Sequence, residues 1–126
     1  MNNLLGIDYG ERYIGIAIKQ EEVNIPYPHK IIDLKSNNLD KELKDIINNK
    51  LINKIVIGYP IGLNTSETRM SNKVDEFIEH VLKKFNIPIE KIDERMTTKL
   101  ISNNINKRFD DLSAVKILET YLNNVK

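Results

Sequence analysis

Acidic residues close several apolar runs in this sequence. Asp8 sits inside LLGIDYG, between Ile7 and Tyr9, where a strand core would favour valine. Asp93 and Glu94 stand in DERMTT, and Asp110 and Asp111 open DDLSAVKILETYL. A carboxylate in a sheet is costly unless something compensates its charge. Clustered carboxylates repel, and their pKa values rise unless a cation intervenes. The cation suited to oxygen ligands is a hard divalent one, Mg²⁺ or Mn²⁺. Two such ions on a few carboxylates can activate water and stabilise the leaving oxygen of a phosphodiester. That is the chemistry these residues would support if the fold brought them together.

Whether they meet depends on the elements that carry them. Residues 4–9 and 13–19 read as two strands joined by Gly10-Glu11-Arg12, an antiparallel hairpin. In YIGIAIK, Tyr13, Gly15 and Ala17 alternate with Ile14, Ile16 and Ile18. Pro26 and Pro28 break the next segment, and HKIIDL reads as a third, edge strand. Leu39, Leu43, Ile46 and Ile47 predict a helix over 39–51, with acids early and Lys50 late, as the helix dipole favours. KIVIGYP is a strand apolar on both faces, which suits a sheet covered on both sides. A polar loop over 61–67 precedes a helix over 68–85, with Val74, Phe77, Ile78, Val81, Leu82 and Phe85 on one stripe. IEKID is a fifth strand, TTKLISNNI a short helix capped by Thr97, and 110–124 the last helix.

The expected class is α/β: a five-stranded, mixed, mainly parallel sheet with helices on both faces, in one domain over 1–126. Such sheets gather ligands at the carboxyl ends of their strands. Asp8, Asp93 and Glu94 fall there. On a helical wheel Asp110 aligns with Ala114, Ile117 and Tyr121, and Asp111 with Val115, Leu118 and Leu122, so both face the sheet. Taken singly, each acid except Asp8 has an ordinary explanation. An aspartate at a helix start caps it, and Glu94 beside Arg95 makes a surface pair. Taken together, acids from three distant segments converge on one edge.

Composition sets outer bounds. The chain has 126 residues, 40% of them hydrophobic, and no cysteine, which excludes a disulfide framework and a thiolate metal site. No window approaches the roughly 18 consecutive apolar residues of a membrane span, so a cytoplasmic protein without a membrane partner is expected. Nineteen Lys and Arg balance 18 Asp and Glu, for a net charge of +1. That neither argues for nucleic acid nor excludes it, because a local basic face can coexist with an acidic centre.

The motifs resemble a family. GIDYGERYIGIAI is similar to the opening of the YqgF family of bacterial nucleases. IVIGYPIGLNTSETRMSNKVDEFIEHV resembles that family's strand, Gly-x-Pro, polar loop and helix. DERMTT and DDLSAVKILETYL are similar to its D-E-R signature and final helix, and the four matches come in the right order. The resemblance implies an RNase H-like three-layer fold with Mg²⁺ or Mn²⁺ held by three acids: Asp8, Glu94 and Asp110, with Asp111 in reserve. It implies a nuclease maturing the 5′ end of pre-16S rRNA, in a family earlier described as Holliday junction resolvases. The chain departs from the pattern in Lys19-Gln20 after the second strand and in Ile61-Gly62-Leu63-Asn64 after Pro60. Those changes bear on substrate contacts more than on the acids.

Basic residues are candidates for the nucleic-acid backbone: Arg12 beside the glycine turn, and Arg69, Lys73, Lys107 and Arg108 as a rim. Scattered lysines are also ordinary solubilising residues. Arg95 reads as a holder of Glu94, Tyr9 as packing, and His29 and His80 have no metal-like spacing. The expected partner is structured RNA or branched DNA. The low net charge points to delivery by the ribosome or a ribosomal protein, and the chain would act as a monomer or weak dimer. The competing readings are a DNA junction resolvase and a docking module without catalysis. An actin-like ATPase shares G-x-D-x-G, but it needs two such domains.

Overall fold

The computed structural model describes residues 3–60, 65–93 and 111–124, and at 65–68 and 111 it describes the backbone. Five apolar runs form one sheet: β1 (Leu4–Asp8), β2 (Tyr13–Lys19), β3 (Tyr27–Asp33), β4 (Lys54–Tyr59) and β5 (Ile89–Asp93). Their order across the sheet is β3-β2-β1-β4-β5. The β1–β2–β3 part is antiparallel, because short turns join those strands. β4 and β5 run parallel to β1, because helices make the crossings. Among the described residues the α-helices are α1 (Leu39–Asn49), α2 (Thr65–His80) and α3 (Asp111–Asn124).

Alternation along the strands divides the core into two layers. Leu5, Ile7, Ile14, Ile16, Ile18, Ile55 and Ile57 pack with α1 and α2 through Leu43, Ile46, Ile47, Val74, Phe77 and Ile78. Leu4, Ala17, Val56 and Ile92 pack on the other face against Ala114, Ile117 and Leu118 of α3. Helices therefore cover both faces, as the doubly apolar β4 requires. On the α3 face the helix packs tightly over Gly6. A Cβ built at Gly6 would lie 2.6 Å from Leu118 Cγ and 3.0 Å from the Ala114 carbonyl oxygen.

Several boundaries differ from the sequence reading by a residue or two, as at the end of α1 (Asn49, not 51), and three differences have an identifiable cause. The third strand begins at Tyr27 and contains Pro28, which the sequence reads as a breaker. It fits because β3 is an edge, and Pro28 pairs with Ala17 where the register shifts. The second helix begins at Thr65, inside the expected loop. Its first turn, TSET, is polar throughout, so apolar spacing cannot locate it. The same helix ends at His80, and Leu82–Phe85 is a separate 3-10 turn closed by Asn86 at φ 57°. A period of three keeps Leu82 and Phe85 on one side, which mimics a continuing stripe. The expected short helix over 97–105 lies outside the described residues.

Asn3 locks the start of β1 to the α1–β4 loop. Its side-chain amide donates to the carbonyls of Lys50 and Leu51 at 3.2 and 3.1 Å. Its side-chain oxygen accepts from the Glu21 N–H at 2.8 Å, and its own N–H donates to Asn53 Oδ1 at 2.9 Å. This explains a buried asparagine in an apolar layer. The clamp holds Leu51 at φ 53°, a conformation costly for a residue with a Cβ. Leu51 is also exposed, so little packing is lost on truncation. Leu51→Gly is expected to stabilise the fold by roughly 0.5–1 kcal/mol. Urea unfolding would check it, and a loss of stability would show that Leu51 packs usefully.

Candidate active site

Three of the five strands end in Ile-Asp: β1 at Asp8, β3 at Asp33 and β5 at Asp93. All three ends lie on the same edge of the sheet, because β2 alone runs the other way. Their surroundings separate their roles. Asp33 is spent on its turn. It accepts from the Lys35 N–H at 3.0 Å and from Arg12 Nε and Nη2, each at 3.4 Å. The Arg12 hydrogen bonds hold its carboxyl below the ordinary range.

Asp8 is different. It ends the central strand, half-buried, on the face shared with Leu4 and Gly6, where α3 packs. Its partner on β2 is Gly15. On β4, the residue after the Ile7–Ile57 pair is Gly58. Both glycines are buried and both share the face of Asp8, two positions from Ala17 and Val56. On both neighbouring strands the residue beside Asp8 is thus a glycine, which places no side chain there and suits close approach of another group.

Asp93 and the start of α3 reach this edge too. Asp93 pairs with Tyr59 at the end of β5, two strands from β1, or about 10 Å across the sheet. Ile92 packs in the α3 layer, so Asp93 belongs to the opposite face. Glu94, the next residue in the chain, lies outside the described residues. α3 runs back along β1: Tyr121 meets Lys54 near the start of the strands, and Ala114 and Leu118 lie over Gly6. Its first residue, Asp111, is therefore carried toward the edge where Asp8 ends. Asp110, one step further, lies outside the described residues, as do Arg95, Lys107 and Arg108. Among the described residues no three His, Cys, Asp or Glu side chains form a metal-sized group.

Basic side chains gather beside the Gly10–Arg12 turn. Arg69 and Lys73 of α2 both reach Glu11 Oε2, at 3.6 and 3.3 Å. Arg12 leans over the Tyr13 ring at 4.9 Å while it pairs with Asp33. Tyr9 stacks on Phe77 with ring centroids 4.9 Å apart and serves the core.

A family model, RuvX, described as Holliday junction resolvase, matches residues 2–124. The chain belongs to the RuvX/YqgF family. A relative from Rickettsia felis, named "Putative pre-16S rRNA nuclease", is 35% identical over 134 residues, covering 98% of this chain and 87% of the relative. One of the same name from Rickettsia bellii is 38% identical over 133 residues, covering 97% and 86%. Among solved structures, T. thermophilus RuvC with a Holliday junction substrate superposes with a TM-score of 0.61 at 6% identity, covering 98% of this chain and 96% of that one. Fowlpox virus resolvase with Holliday junction DNA gives 0.54 at 10% identity, covering 98% of each chain. These likenesses show the fold of this chain: RNase H-like, with a five-stranded mixed sheet between helices.

One cluster in this RuvX/YqgF chain has no sequence signal, because its members come from three separate elements. Asp75 of α2 accepts from Tyr59 Oη and from Lys91 Nζ, both at 2.9 Å. Lys91 Nζ also sits 4.4 Å from the centre of the Tyr59 ring. Asp75 thereby ties α2 to β4 and β5 just below their carboxyl ends. Partial burial works to raise its pKa, but hydrogen bonds from Lys91 and Tyr59 outweigh that and hold it low. A lowered carboxylate contributes stability above its unfolded pKa and loses it as pH falls through the folded one. Asp75→Asn is expected to cost less than about 1 kcal/mol at pH 7, since the pair is half-exposed. The deficit should shrink as pH drops below about 4. Thermal melts at pH 7 and pH 3 would check it, and an equal deficit at both would exclude the ion pair as its source.

Proposed function

We propose that the protein is a divalent-metal-dependent endonuclease acting on structured RNA, with the 5′ end of pre-16S rRNA as its substrate. The observation that supports this best is Asp8: a half-buried carboxylate at the end of the central strand, flanked by Gly15 and Gly58. The catalytic set in this reading is Asp8, Glu94 and Asp110, with Asp111 in reserve. The donor chemistry suits Mg²⁺ or Mn²⁺, being carboxylate oxygen without thiolate, in a chain that has no cysteine. Such ions supply Lewis-acid activation of water and charge stabilisation at phosphorus. In this reading Asp8 holds the centre of the site, and Glu94 and Asp110, which follow β5 and precede α3 in the chain, complete the set. Arg12, Arg69, Lys107 and Arg108 neutralise backbone phosphates around it. The names of the Rickettsia relatives support RNA as substrate. A cytoplasmic setting, with the ribosome or a ribosomal protein delivering the RNA, accompanies that reading.

The family model's description favours a second reading, a Holliday junction resolvase using the same centre. A resolvase needs two sites related by symmetry, hence a dimer, whereas the RNA reading works as a monomer or weak dimer. The test is cleavage of a labelled pre-16S 5′ leader RNA and a labelled four-way DNA junction, in Mg²⁺, Mn²⁺ or EDTA. Cutting of the RNA with metal and none in EDTA is expected. Cutting of the junction alone would favour the resolvase. A folded protein that cuts neither would leave only a docking module.

A further inference from the structure

We propose that Arg69 and Lys73 form a phosphate subsite for the nucleic-acid backbone, occupied in the free protein by the Glu11 carboxylate; this rests on the nuclease reading. Residues 69 and 73 are four apart on α2, so their side chains leave the same helix face. They converge on a single oxygen, Glu11 Oε2, with Arg69 Nη1 at 3.6 Å and Lys73 Nζ at 3.3 Å. Two cations on one oxygen is the arrangement a phosphate oxygen would receive. One carboxylate balances only one of the two charges, so the locus keeps a net positive charge.

The carboxylate is also replaceable. The Glu11 and Arg69 side chains are 49% and 63% exposed. Ion pairs this exposed contribute little to stability, so a phosphate can displace Glu11 at small cost. Glu11 lies in the turn that leaves β1, three Cα steps and so at most about 11 Å from Asp8. A strand of nucleic acid running along the carboxyl edge past Asp8 would therefore meet this pair. Arg12, next in sequence, pairs with Asp33 in the free protein. Glu11 then acts as a stand-in anion that discriminates against weak anionic ligands.

The test is fluorescence anisotropy with a labelled RNA hairpin bearing a single-stranded 5′ leader, in EDTA, from 50 to 200 mM KCl (about the span over which phosphate contacts dominate affinity). Glu11→Gln is expected to tighten binding by about threefold, the scale of one exposed ion pair. Arg69→Ala/Lys73→Ala is expected to weaken it about tenfold and to flatten the log–log salt slope by about 1.4, or 0.7 per lost contact on a single strand. Unchanged affinity and slope in the double variant, weaker binding by Glu11→Gln, or no binding by the wild type would each overturn the subsite. The nuclease reading fails separately. Wild-type cleavage that persists unaltered in the double variant overturns the subsite alone, whereas undiminished cleavage by an Asp8 variant overturns the nuclease assignment.

Discussion

Asp8→Asn is expected to reduce cleavage of the leader RNA by about 100- to 1000-fold, the loss typical when one preorganised electrostatic group is removed. The protein should stay folded, because the amide keeps the shape of the side chain and its capacity to hydrogen-bond. Single-turnover cleavage beside a thermal melt separates the two effects. A sharper control comes from the alternation of β5. Asp93 lies on the same edge, but the neighbouring Ile92 packs in the α3 layer, which puts Asp93 on the other face from Asp8. Asp93→Asn should therefore keep most of the rate. If the Asp8 variant cut at the wild-type rate, the central carboxylate would be structural. If Asp93→Asn were as damaging as Asp8→Asn, the catalytic set would have to be redrawn around β5.

The second large effect concerns the seat of α3. A valine at Gly6 places its Cβ 2.6 Å from Leu118 Cγ and 3.0 Å from the Ala114 carbonyl oxygen. Leu118 can turn aside, but the Ala114 oxygen belongs to the helix backbone, so the whole helix must move. Overpacking of this kind typically costs about 1–3 kcal/mol for added methylenes. Two γ-carbons against a helix backbone should reach about 3 kcal/mol or more, a large share of the roughly 5–15 kcal/mol a domain has. Urea unfolding would measure it. Leu118→Ala alone should cost about 2–5 kcal/mol by leaving a cavity. Combined with Gly6→Val, the total should fall below the sum, because the valine uses the vacated space. Strict additivity would show that the helix had already moved away. Since α3 begins at Asp111, a shifted helix should also lower cleavage beyond what lost stability explains.

Several features were legible because they depend on local pattern. The hairpin, the doubly apolar β4 and the buried face of the last helix arise from periods of 2 and 3.6. Ala114, Ile117 and Leu118 are fully buried, as the helical wheel placed them. Asp8 stands out in the sequence because burying a charge among apolar strand residues carries a desolvation cost. The boundaries were less legible. TSET has no apolar residue to mark a helix start, and a 3-10 turn at Leu82–Phe85 preserves the stripe of a longer helix. Pro28 reads as a breaker until one knows that β3 has a free edge.

Sequence alone determined the family, the alternating architecture and the candidate acids, because these reside in residue type and short spacing. Only the tertiary structure decided which charges meet. It showed Asp33 spent on Arg12, Glu11 shared by Arg69 and Lys73, and Asp75 joining Tyr59 to Lys91. Each of these pairings joins elements far apart in the chain. Their geometry is set by strand order and helix seating, for which spacing along the sequence carries no signal.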